Sequence, residues 1–171
     1  GLLIGKEESD RVIVGPEKAI LAQVGNGYQI LQGKRKTSDV AKELAKTITK
    51  SPQKEGAFVV ALTGDLGAGK TSFVQGLAKE LGVGKNVLSP TFLIVKSYPL
   101  TRGRMFYHID CYRLKNAKEL LDLNWKEIIS NTKNIVAIEW ADHVKSIIPK
   151  DALWISLAQG DELTERNIVV G

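Results

Sequence analysis

Cysteine is nearly absent. Cys111 is the one thiol in 171 residues, so no intrachain disulfide can form, which fits a reducing compartment. No apolar run approaches the length needed to span a bilayer, and nothing at the start reads as a secretory signal. The expectation is therefore a cytoplasmic protein without a membrane partner. Internal repeats and low-complexity tracts are also missing, which removes solenoids and disordered linkers from consideration. Charge of one sign does not dominate. The chain has 24 Lys and Arg against 19 Asp and Glu, a net charge of +5, with the basic residues scattered among acids. This is compatible with RNA or an acidic partner but requires neither.

What is present is ordinary for a globular domain: 43% hydrophobic and 25% charged residues, in a chain long enough for one self-sufficient core. Residues 1 to 33 read as a small β-rich extension. Within them Ile20 to Val24 and Tyr28 to Gln32 flank Gly25-Asn26-Gly27, a hairpin signal. Residues 34 to 171 read as the main domain. Thr37 or Ser38 caps a helix with Val40, Ala41, Leu44, Ala45 and Ile48 on one face, ended by Ser51-Pro52. The continuous apolar run FVVALT (Phe58 to Thr63) suits a buried parallel strand. The spacing predicts a helix from Lys70 to Leu81, with Gly82 past its end. An extended stretch ends near Leu100, and Met105 to Ile109 returns as a strand after the turn Thr101–Arg104. Asn116 opens a further helix whose buried face is Leu120, Leu121, Ile128 and Ile129. Ile135 to Ile138 is a short apolar strand, a short helix precedes Pro149, and the strands Leu153 to Leu157 and Asn167 to Val170 close the chain.

Between the first of these strands and its helix lies Gly64-Asp65-Leu66-Gly67-Ala68-Gly69-Lys70-Thr71, which fits G-x-x-x-x-G-K-[ST] at every fixed position. Glycines let the backbone curl until successive N–H groups face phosphate oxygens. Lys70 can reach the β- and γ-phosphates, the Thr71 hydroxyl can bind Mg²⁺, and the helix start adds its positive end. A strand before the loop and an amphipathic helix after it supply the context the motif needs. Strands alternating with helices around such a loop predict an α/β, P-loop NTPase-like three-layer sandwich. Its central sheet should be mainly parallel, with added antiparallel strands. Guanine-specific switches usually carry Asn/Thr-Lys-x-Asp. The nearest stretch, Thr132-Lys133-Asn134-Ile135, lacks the Asp, so ATP is the default nucleotide.

A carboxylate at the end of a neighbouring strand usually completes a Mg²⁺ site. Glu139, after Ile135 to Ile138, is the preferred candidate; Asp110, after Phe106 to Ile109, is left open by position alone. Thr91, in Ser89-Pro90-Thr91-Phe92, could sense a γ-phosphate, but its residues alone favour an ordinary Ser-Pro turn. His108 reads as a packed strand histidine, Cys111 as a small buried residue, Trp125 as a core anchor and Lys34-Arg35-Lys36 as a solvated helix entrance.

GDLGAGKTSF, SPTF, HIDCYRL and IEW occur in this order behind a helix that begins Thr37-Ser38. Together, over residues 35 to 170, they resemble the TsaE (YjeE) family of bacterial ATPases, which serve threonylcarbamoyladenosine biosynthesis in tRNA. The resemblance implies a P-loop fold that binds ATP or ADP with Mg²⁺ and hydrolyses ATP slowly. It also implies two partners of sugar-kinase-like fold, TsaD and TsaB, with any tRNA contact indirect. Matched residue by residue, Gly67, Ala68, Gly69, Lys70, Thr71 and Ser72 would hold the phosphates, and Thr71 and Glu139 would be the Mg²⁺ ligands. Thr91 would sit in a switch-like loop, and Asp110 would help position the metal or the attacking water. Trp140 would belong to the motif of the metal acid, and Thr37 and Ser38 would lie by the adenine. Residues 1 to about 33 have no counterpart in the short N-terminus expected of the family.

The rival is a small-molecule or nucleoside kinase. Such an enzyme clamps a second substrate, usually beneath a lid with several arginines, whereas the region after Glu139 is short and contains only Arg166. A third reading is a nucleotide-binding scaffold without turnover: Lys70 and Thr71 argue against a loss of binding, but slow turnover would look similar.

Overall fold

A computed structural model describes residues 11–14, 20–24, 27–31, 37–50, 55–65, 67–84, 94–159 and 166–170, with side chains described for 40–50, 55–65, 67–84 and 94–158. Three strands come first: β1 (Arg11–Val14), β2 (Ile20–Val24) and β3 (Gly27–Leu31). The pair β2 and β3 forms the antiparallel hairpin that the Asn-Gly signal predicts, with Val24 opposite Gly27. Helix α1 (Thr37–Lys50) ends where Ser51-Pro52 would stop it. Strand β4 (Phe58–Thr63) is the FVVALT run, and α2 (Lys70–Leu81) has the predicted bounds. Gly82 closes α2 in the left-handed conformation, with its N–H on Lys79 O and the Val83 N–H on Ala78 O.

Strands β5 (Val95–Pro99) and β6 (Met105–Asp110) form a hairpin, and α3 (Ala117–Leu121) and α4 (Trp125–Ser130) lead to β7 (Asn134–Glu139). A 3₁₀ turn (Ala141–Ile147), β8 (Leu153–Gln159) and β9 (Arg166–Val170) follow. The seven-stranded sheet has the order β1-β9-β8-β4-β7-β6-β5. Its inner four strands are parallel, and β5, β9 and β1 add on antiparallel at the two sides. The α/β class with a mainly parallel centre and added antiparallel strands is therefore as the sequence predicts. Strand β1 was not foreseen; it pairs with β9 in this main sheet.

Period-2 alternation sorts the core onto the two faces of the sheet. Val60 and Leu62 of β4 and Ile135 and Ala137 of β7 pack with Leu44 and Ile48 of α1 and Phe73 and Leu77 of α2. Val59, Ala61, Val136 and Ile138 face the other way, against Leu120, Trp125 and Ile128. All six residues of β7 are buried, as a strand covered on both faces requires. Each fully buried Leu, Ile or Phe contributes about 1.5–3 kcal/mol of transfer free energy.

Two expectations need correction. The single helix expected from Asn116 to Ile129 is two short helices. Asn116 does cap the first, accepting from the Glu119 N–H, but Asn124 takes a left-handed φ of 62° and breaks the run. Leu120 and Ile128 are buried as expected, whereas Leu121 is turned outward, 37% exposed. The helix expected before Pro149 is a 3₁₀ turn kinked at Val144.

Candidate active site

Parallel register sets the site. Leu62 of β4 and Asp110 of β6 both lie opposite Glu139 of β7, so the carboxyl ends of three strands finish level beneath the loop that follows β4. Open α/β sheets place their ligands at this end.

The loop itself depends on two backbone positions. Gly64 has φ 143°, and a Cβ there would run into Leu157 O, so β4 can turn into the loop beside β8 only with glycine. Gly69 has φ 98° and stands at the N-terminus of α2, where its carbonyl accepts the Phe73 N–H at 2.9 Å. The loop also closes on itself, with the Ala68 N–H on Asp65 O at 3.1 Å. Of the phosphate-holding residues expected, Ala68 and Lys70 are buried, while Gly67 and Ser72 are exposed at the loop and the first turn of α2.

Lys70 is 5% exposed and folds back over the loop. Its ammonium donates to Gly64 O and to Asp65 O, the latter at 2.8 Å, and it sits 4.2 Å from the centre of the Trp140 ring. Burial pushes its pKa below the usual lysine value, an effect opposed by Glu139, Asp65, Asp110 and Asp142. Trp140 reaches this place through a strained backbone. Its φ of 56° is left-handed, unusual for a bulky residue and costing about 1–3 kcal/mol. The turn is held on both sides by the Cys111 N–H on Glu139 O and the His143 N–H on Trp140 O, each at 3.0 Å. The Trp140 ring lies between Tyr112 (5.0 Å) and His143 (5.3 Å). His143 Nδ1 carries the proton, because it donates to Cys111 O at 2.9 Å.

The carboxylates expected at the strand ends are both here. Glu139 is 3% exposed and accepts at each oxygen, from the Thr71 hydroxyl on Oε1 (2.8 Å) and from His108 Nε2 on Oε2 (2.5 Å). Asp110 accepts the Tyr112 N–H at 2.9 Å. Burial raises the Asp110 pKa, the Tyr112 N–H lowers it, Glu139 raises it further, and His108 and Lys70 lower it. Thus Lys70, Thr71, Glu139 and Asp110 come together as the sequence predicts. Thr91 lies outside the described residues, as do Ser89 and Pro90. Helix α1 begins at Thr37, but the side chains of Thr37 and Ser38 also lie outside them.

His108 corrects its sequence reading. It is buried, but its ring is not simply packing, because it is bound to Glu139. The available signal was its spacing. On a strand, His108 and Asp110 are two apart and share a face, so an acid directed to the site carries the histidine with it. Its Nδ1 has no hydrogen-bond partner among the described residues, which costs about 1–3 kcal/mol for such a group. Tyr112, Asp142 and His143 were missed because only the turns at Glu139-Trp140 and Cys111 bring them near.

Hydroxyl and carboxylate oxygens are the donors Mg²⁺ prefers. No group of three or more His, Cys, Asp or Glu that could hold a metal is found among the described residues; Thr71 and Glu139, hydrogen-bonded to each other, offer one hydroxyl and one carboxylate oxygen at the loop. No helix among them is long and apolar enough to cross a membrane.

Comparison with known proteins agrees with this geometry. The family model "Threonylcarbamoyl adenosine biosynthesis protein TsaE" matches residues 31–168. A tRNA threonylcarbamoyladenosine biosynthesis protein TsaE from Haemophilus influenzae is 38% identical over 114 residues, 67% of this chain and 70% of that protein. The protein of the same name from Nostoc is 39% identical over 136 residues, covering 77% and 78%. That from Rickettsia bellii is 33% identical over 141 residues, covering 82% and 92%. The crystal structure of Bacillus subtilis YdiB superposes with a TM-score of 0.54 at 29% identity, covering 78% of each chain. Motif order, strand-end geometry and sequence converge: the chain belongs to the TsaE family, which takes part in tRNA threonylcarbamoyladenosine biosynthesis.

Proposed function

We propose that this chain is a slow, Mg²⁺-dependent ATPase, converting ATP and water to ADP and phosphate. It acts with the TsaD–TsaB transferase pair in the cytoplasm. The observation that carries the reading is the 2.8 Å hydrogen bond from Thr71 to Glu139, which ties the phosphate loop to the acid at the end of β7. In this reading Gly67, Ala68, Gly69, Lys70, Thr71 and Ser72 hold the phosphates, with Lys70 leaving the loop carbonyls for them. Thr71 and Glu139 hold Mg²⁺, which when bound supplies positive charge against the phosphate oxygens. Asp110, its basicity raised by burial, orients the attacking water and accepts its proton as the β–γ bridging P–O bond breaks. Thr91 senses the γ-phosphate, Thr37 and Ser38 lie by the adenine, and tRNA is reached through the partners.

The test is phosphate release from ATP with and without the TsaD–TsaB pair. ADP with free phosphate, released faster with the pair, is the expected result. A phosphorylated acceptor would instead establish the kinase alternative. Lys70→Ala should weaken nucleotide binding at least tenfold. Unchanged affinity and turnover in that variant would remove the phosphate-loop assignment.

A further inference from the structure

We infer that His108 is a positioning residue for Glu139, holding the carboxylate so that Oε1 stays directed at Thr71 and the divalent cation. The inference rests on the Mg²⁺-dependent reading above.

Glu139 is a buried acid at the very end of β7, beside the turn at Trp140. Its side chain has several torsions, and one hydrogen bond to Thr71 fixes only one oxygen. The second oxygen is fixed from β6. Residues 106, 108 and 110 share the α2 face of that strand, and His108 lies opposite Ala137 in register, two residues short of Glu139. From there Nε2 reaches Oε2 at 2.5 Å. A carboxylate accepts, so the proton sits on Nε2. Both oxygens of one acid are then bound in different directions, which fixes the plane of the carboxylate as well as its position.

Packing does not account for a histidine here. The side chain is fully buried, and Nδ1 is left without a partner among the described residues. A Leu or Phe would fill the same space with no unmet nitrogen. What histidine adds is the donor at Nε2. Hydrogen-bonding groups behind a metal's carboxylate ligand set its orientation, and their loss reduces metal affinity about 10- to 100-fold.

The test reads cation binding, separately from turnover. ADP affinity is measured calorimetrically in EDTA and across a Mg²⁺ titration, for the wild type and for Glu139→Ala, His108→Leu, His108→Gln and His108→Asn. Gln can place an amide N–H near the Nε2 position. Asn reaches only the Nδ1 position and cannot meet Glu139. The expected result is a Mg²⁺ midpoint raised about 10- to 100-fold in His108→Leu and His108→Asn, and returned to within a few-fold of wild type in His108→Gln. ADP affinity in EDTA should stay level across the wild type and the His108 variants. If His108→Leu does not fold, the Gln and Asn variants decide the question between them. A midpoint in His108→Asn equal to wild type, or His108→Gln no better than His108→Asn, overturns the inference. Glu139→Ala distinguishes the two levels. If it shifts the midpoint while the His108 variants do not, only the positioning role is lost. If Glu139→Ala leaves the midpoint unchanged, the metal role of Glu139 fails and the inference with it.

Discussion

Asp110→Asn should make the nucleotide-free protein more stable and less active. Asp110 and Glu139 lie opposite each other on adjacent parallel strands, and Asp110 carries a pKa raised first by burial and then by Glu139. Facing residues on paired strands have Cβ atoms about 5 Å apart, which sets the scale of the separation between the two charges. Two like charges at that distance repel by about 3 kcal/mol at an effective dielectric constant near 20. Lys70 and His108 oppose this, leaving on the order of 1 kcal/mol. Asn keeps an oxygen for the Tyr112 N–H, so the local turn survives and the charge alone is removed. The direction with pH follows from the raised pKa. From the ordinary carboxyl value of 3.8 up to the raised folded value, the native state holds a proton that the unfolded chain has released. Wild-type stability therefore falls as pH rises through that window and stays lowered at neutral pH. Urea unfolding in EDTA at pH 7 should show the variant more stable by about 1 kcal/mol, and thermal melts should show a rise of roughly 2–4 °C. The advantage should shrink as pH falls to 3.8 and below. A variant less stable at pH 7, or an advantage independent of pH, would refute the repulsion argument. Slower phosphate release by the same variant would complete the opposition between stability and function.

Other consequences follow from the packing. Trp125→Phe empties part of a site that is 1% exposed and leaves Ile147 O without the indole N–H at 3.2 Å; a loss of about 2–3 kcal/mol in urea unfolding is expected. Asn124→Ala puts alanine, which lacks asparagine's tolerance of the left-handed region, between α3 and α4 and should cost about 1 kcal/mol, whereas Asn124→Gly should be tolerated. Cys111 is fully buried, and burial together with Asp110 and Asp142 pushes its thiol up to about 12; iodoacetamide at pH 8 should label the denatured chain and spare the native one, as read by mass spectrometry.

The central layers were legible because pattern and structure share one cause. FVVALT and the residues around Ile135 to Ile138 are apolar on both faces, and only a covered parallel strand uses such runs. The Gly-Lys-Thr loop has fixed spacing because phosphate geometry does. The break at Asn124 was not legible, since apolar spacing continues across it and the left-handed turn is a matter of one residue's backbone. β1 was missed because its partner, β9, lies more than 150 residues away in the chain, and pairing at that distance leaves no local period. At the site, each acid could be placed at a strand end, but Asp110 opposite Glu139 is a fact of register. His108 was discounted for a similar reason: its meaning depends on the neighbouring strand.

Register also explains why this corner of the sheet departs from the rest. Elsewhere β4, β6 and β7 pair apolar residues in regular alternation. At their carboxyl ends the same pairing brings together two acids, a histidine whose Nδ1 has no partner among the described residues, a lysine with a lowered pKa and a tryptophan in a left-handed turn. The left-handed turn at Trp140, the burial of Lys70 and the adjacency of the two acids each cost stability in the ligand-free fold. Glycine at 140 would relieve the left-handed strain, and an uncharged residue at 110 would remove a charge from beside Glu139. Unfavourable choices gathered in one place, within an otherwise consistent fold, are what a binding site for a charged ligand produces. A polyphosphate with its cation would pair with Lys70 and neutralise the two acids. The same groups that destabilise the empty protein would then hold the ligand, and the stability gained on binding should be larger for the wild type than for Asp110→Asn.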